Sequence, residues 1–241
     1  MEIRMESIRS FKRRQLLIIL VNSVLVLDTA VTAVLGIMNG AGSGQVGNYI
    51  SGIGYFKPYT MDVNILMLFA SVLMLACCIG NLLCGEDRTP RPVVVFYFTG
   101  STCLLMTMLT AALFLGPMKV LRGESYFLMF RDDMFFFHLL NPVIAVFSFV
   151  FLIRMHTMDF RDSLYALAPT VLYSAVYIVM VVITGKWNDF YGFTFGGRYY
   201  LVPFVLCCLY GIVFGLSVLL RRLHNGYAWN RQMPQDGNAL V

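Results

Sequence analysis

Tyr59-Thr60-Met61-Asp62-Val63-Asn64-Ile65-Leu66 opens an apolar run that continues to Leu83 with Asp62 as its one charged residue. A helix needs about 20 consecutive apolar residues to cross the hydrocarbon core of a bilayer. This run is long enough, and it reads as a membrane span. Wound as a helix, Thr60 and Asn64 are four residues apart and share a face. Polar groups at the mouth of a membrane helix are costly unless they face protein or water. The stretch therefore supplies both a structural element and a candidate site.

Five more runs of the same kind lie outward from it, at 16–38, 93–115, 134–153, 164–184 and 199–220. Composition agrees. The 241 residues are 59% hydrophobic and 13% charged, against about 25% charged in soluble domains. The expected fold is all-α: one polytopic membrane bundle of six transmembrane spans over 16–220. A basic segment, 1–15, precedes it and a mobile polar tail, 221–241, follows. Run 16–38 exceeds the roughly 7–15 apolar residues of a signal-peptide core, so it reads as a retained span. With six spans both termini lie on one side. Lys and Arg favour that side two to one, which orients the chain N-in/C-in. The net charge of +5 is scattered over termini and short loops rather than gathered on one face, which argues against a nucleic-acid partner. The six cysteines fall in or beside apolar runs, without disulfide or metal spacing, and read as small core residues.

Two features lead away from the opening stretch. Asp28 sits near the middle of the first span with Thr29 and Thr32 beside it. A carboxyl there is expensive and should face the bundle or water, either as an interhelical hydrogen bond or as part of a site. Residues 39–58 form a Gly-rich loop in which Ser43 lies between Gly42 and Gly44. The serine-hydrolase elbow needs G-x-S-x-G between a strand and a helix, so this segment reads as a flexible loop. The spans show no halves related by a repeat, which argues against a carrier built on inverted repeats.

The stretch Phe137-His138-Leu139-Leu140-Asn141-Pro142 has the same polar-in-apolar character as the first. Spans two and four begin at the same membrane face, so Thr60 and His138 differ in depth by about one turn. Asn141 lies one turn below His138. Asp62, Asn64, Asp132 and Asp133 stand at a similar level, and Trp187, Asn188, Asp189 and Tyr191 come from the loop between spans five and six. A hydroxyl becomes a nucleophile when a base takes its proton, and His is the usual base near neutral pH. A carboxylate would orient the imidazole. Against this stands a structural reading, in which Thr60 caps span two and His138 is a satisfied interfacial histidine. The other two histidines, His156 and His224, fall on the opposite side, so neither a haem nor a three-His zinc site is expected.

The order of these features resembles the androgen-induced and androgen-dependent six-span membrane proteins and their prokaryotic relatives. Four landmarks carry it: Tyr59-Thr60 with Asn64; Thr107, Thr110 and Leu115-Gly116-Pro117; His138 with Pro142; and Thr184-Gly185-Lys186-Trp187 with Tyr191. They cover about residues 15 to 220. Where prokaryotic relatives often carry Gln and Ser, this chain has Asp62 and Val63, and Asn188-Asp189-Phe190-Tyr191 replaces the usual Tyr-Pro-Phe segment. The resemblance implies a threonine hydrolase acting on fatty acid esters, with Thr60 as nucleophile and His138 as its partner. Asn64, Asn141, Asp62 and Trp187 then line the substrate. The partners expected are membrane lipids and a lipid ester, with no cofactor; oligomeric state is left open. A bacterial plasma membrane suits the short loops. The alternatives are a lipid- or small-molecule-binding protein of the same fold, and a transporter built around Asp28.

Overall fold

Hydrocarbon offers backbone amides no water, so each apolar run must close its hydrogen bonds internally as a helix. The computed structural model describes residues 2–39, 57–189 and 191–232. It is 82% helical, with no strand among the described residues. Six helices are long and apolar enough to cross a membrane: α1 (Arg9–Met38), α2 (Tyr59–Cys84), α3 (Arg91–Leu121), α4 (Asp133–Leu152), α5 (Phe160–Ile183) and α6 (Tyr199–Tyr227). This is compatible with a multi-pass integral membrane protein. Residues 40–56 of the Gly-rich loop, Ser43 among them, lie outside the described residues.

α3 is the central helix. From Tyr97 through Leu104 every residue is buried, with α2 on one side and α4 and α6 on others. α2 lies close at Gly100, where an added Cβ would meet Met67 Sδ at 2.9 Å. Small residues let membrane helices approach this way. Phe98 and Phe149 fill the core between α3 and α4, their rings 5.2 Å apart. Outward faces carry large apolar side chains such as Leu20, Leu27, Phe69 and Leu172, as a bundle surrounded by lipid requires.

Two expected boundaries shift. The first helix begins at Glu2 rather than near residue 16, and the last runs through Gln232, past the expected end of the sixth span. Its anchors explain this. The His224 ring is 1% exposed, stacks on Phe149 at 4.4 Å, and sets its nitrogens 2.9 Å from the Phe149 carbonyl and 2.8 Å from that of His156. Asn225 brackets Met158, accepting from its N–H and donating to its carbonyl, both at 2.9 Å. On the same end, Asp87 in the α2–α3 turn accepts from Arg14, Gln15 and Asn81. The cysteines also divide. Only Cys78 and Cys103 are buried, whereas Cys84, Cys207 and Cys208 face outward, because the apolar runs they sit in turn one side to lipid.

Candidate active site

Pro142 decides the local shape of α4. It has no N–H to give the carbonyl one turn back, and its ring crowds that carbonyl. The helix answers by widening into a π-turn over Phe136–Leu140, and the Asn141 amide bonds back to Phe136. Such π-bulges are frequent at functional sites. His138 sits inside this turn, 4% exposed.

Its two ring nitrogens face different partners. Nδ1 lies 2.8 Å from the Met129 carbonyl oxygen, and Nε2 lies 3.3 Å from Thr60 Oγ1. A carbonyl only accepts, so Nδ1 must carry a hydrogen. In the neutral ring this leaves Nε2 as the acceptor, aimed at the Thr60 hydroxyl. The expected orienting carboxylate is replaced by a backbone carbonyl: Asp132 faces Arg131, 3.6 Å away, and Asp62 stands half-buried in the first turn of α2. Nor does Thr60 cap that helix. Pro58 occupies the N-cap position, and the Thr60 hydroxyl goes to the imidazole.

Beneath this pair runs a ladder of amides. Asn64 Nδ2 donates to the Thr60 carbonyl at 2.8 Å, which fixes which way round the amide lies. Its Oδ1 then accepts from Asn141 Nδ2 at 3.0 Å, and the same Asn141 nitrogen also donates to Thr29 Oγ1 at 3.3 Å. Asn64 keeps one amide hydrogen. Asn141 Oδ1 is left buried without a donor, as is Asp28 Oδ2, and the Asp28 side chain lies against the Asn141 amide. An unmet buried acceptor costs about 1–3 kcal/mol. Asp28→Asn removes a carboxyl from the span while keeping a side-chain oxygen for the Asn141 amide, and is expected to raise the thermal unfolding midpoint in detergent. A lower midpoint would mean the carboxyl itself is required.

No family model, curated protein or solved structure matches this chain.

The segment after α5 is folded by Asp189. One carboxylate oxygen accepts from Tyr177 Oη at 2.6 Å and from the Phe193 amide at 2.9 Å. The other accepts from the Thr194 amide at 2.8 Å and from Thr194 Oγ1 at 2.6 Å. This wrap carries Tyr191 over the start of α2, where its hydroxyl accepts from the Tyr59 amide at 3.0 Å. Trp187 packs edge-on against Tyr177 at 6.4 Å. Burial alone pushes the Asp189 carboxyl up, but its hydrogen bonds hold it below the ordinary aspartate value. Folding therefore favours the ionised form. The stability this contributes is complete above the ordinary value and is lost as pH falls through the depressed one. In a Trp229→Phe background, Trp187 fluorescence is expected to change on acidification in this range, and Asp189→Asn should remove that transition. An unchanged transition in the variant would assign it to another group.

Thr60, His138, Asn64 and Asn141 were each expected from the sequence at one end of the bundle, and the structure brings the four together. Asp62 lies on the same turn as Thr60. Trp187 belongs to the Asp189 wrap. His156 and His224 are both at the opposite end of the bundle. Sequence reasoning missed Met129, whose contribution is a backbone oxygen and has no side-chain signature.

Proposed function

We propose that this chain is an integral membrane hydrolase of lipid esters, with Thr60 as nucleophile and His138 as its base. The observation that carries the reading is the fixed tautomer: Nδ1 donates to the Met129 carbonyl while Nε2 faces Thr60 Oγ1. This is the arrangement a general base needs, with nucleophile in reach and a third group orienting the ring. The 3.3 Å separation is within the looser range seen before substrate binds.

Thr60 Oγ1 forms a bond to the acyl carbonyl carbon as its proton passes to His138 Nε2. The ester C–O bond then breaks, and the departing alkoxide takes that proton. Water repeats the sequence on the acyl-threonine, returning the proton through His138 and releasing the acid. The remaining N–H of Asn64 is the donor available to the developing oxyanion. Asp62 and Trp187 lie toward the substrate entrance. Two-to-one weighting of Lys and Arg supports N-in/C-in insertion, which puts the Thr60 end on the outer side of a bacterial plasma membrane. The acyl chain then lies among the spans, with its carbonyl just under the surface.

A fluorophosphonate probe tests the nucleophile. Purified wild-type protein should be labelled and Thr60→Ala should not; equal labelling of the two would overturn the assignment.

A further inference from the structure

The site depends on a backbone carbonyl in a connecting segment, and backbone groups hold position only if the segment does. Met129 lies in a 3₁₀ segment, Tyr126–Phe130, between α3 and α4. Its side chain is 3% exposed, and the Ser125 hydroxyl caps the segment by accepting from the Phe127 amide at 3.3 Å.

The anchor is on α3. There the helix widens into a π-turn over Ala111–Leu115, and the Gly116 amide bonds back to the Ala111 carbonyl. In that register the donor for the Ala112 carbonyl would come from residue 117, which is Pro117 and has no N–H. The orphaned oxygen is met instead by Tyr126 Oη, which donates to it at 2.8 Å. Gly116 makes room, because a Cβ there would clash with the edge of the Tyr126 ring. Gly116 thus admits the ring, and Pro117 leaves the carbonyl for its hydroxyl.

We propose that Gly116 and Tyr126 are positioning residues for the reaction: they latch segment 126–130 to α3 so that the Met129 carbonyl fixes the tautomer of His138. The inference rests on the Thr60–His138 reading for its consequence, but the latch itself has a separate readout. Neither residue touches the reacting atoms.

The test uses full-length protein in lipid nanodiscs, labelled with ¹⁵N-histidine, as wild type, Tyr126→Phe, Gly116→Ala and Thr60→Ala. In wild type the His138 signals should report one tautomer with hydrogen on Nδ1. Tyr126→Phe keeps the ring and removes only the hydroxyl, so the fold should survive. It should nonetheless give mixed tautomers, and Gly116→Ala should do the same by displacing the ring. In both, the rate of fluorophosphonate labelling should fall roughly tenfold, as expected for a base held less well in line, while the final stoichiometry stays at the wild-type level. A purely structural defect would lower stoichiometry instead. Wild-type tautomer and rate in Tyr126→Phe would overturn the latch. If Thr60→Ala labels like wild type, the nucleophile reading fails, and the ¹⁵N signals still decide whether the latch sets His138.

Discussion

On the proposed reading, Thr60→Ala is expected to lower turnover of an acyl ester by ~10³-fold or more, to the background rate, as loss of the attacking atom does in hydroxyl-based hydrolases. The variant should fold. Thr60 is 9% exposed, and losing its hydroxyl leaves the buried His138 Nε2 without a partner, at a cost of about 1–3 kcal/mol. Thr60→Ser is the control, since it keeps the hydroxyl and removes only a methyl. It should retain most turnover. Assay with a medium-chain nitrophenyl ester separates the two, and equal activity in Ala and Ser variants would remove Thr60 from the chemistry.

The second large effect is expected at His138. His138→Gln preserves the shape of the site: the amide nitrogen can donate to the Met129 carbonyl, and the amide oxygen can accept from Thr60. It removes basicity. A glutamine oxygen does not take the proton, so kcat should fall by about 10²–10⁴-fold, the usual contribution of a general base, with little change in KM. That split matters. A protein that merely binds lipid through these polar groups would keep its ligand affinity in His138→Gln and show no ester turnover in wild type either. Turnover retained in His138→Gln would reject the base assignment.

The spans were readable because lipid imposes one strong rule, that each backbone group be satisfied within its own segment. The ends of the spans were less so. The polar run after Leu220 reads as a tail, yet His224 and Asn225 find carbonyl and amide partners on α4 and the segment after it. The cysteines show the same limit, since an apolar run does not say which of its faces meets lipid. Thr60 and His138 could be paired in depth because both sit near span starts at one face. What oriented the histidine could not be read. Carboxylates at Asp62, Asp132 and Asp133 were the visible candidates, whereas the partner is a main-chain oxygen held by Gly116, Pro117 and Tyr126. Asp28 was legible as a polar residue in the wrong solvent, and the Asn64–Asn141 ladder it adjoins explains its position.

Identification of the residue that carries the probe tests the central claim most directly. Wild-type protein is labelled with a fluorophosphonate, digested, and its modified peptide sequenced by tandem mass spectrometry. A single adduct on Thr60 is predicted, absent from Thr60→Ala and formed more slowly in His138→Gln. An adduct on another residue, or ester hydrolysis without any adduct on Thr60, would contradict the account.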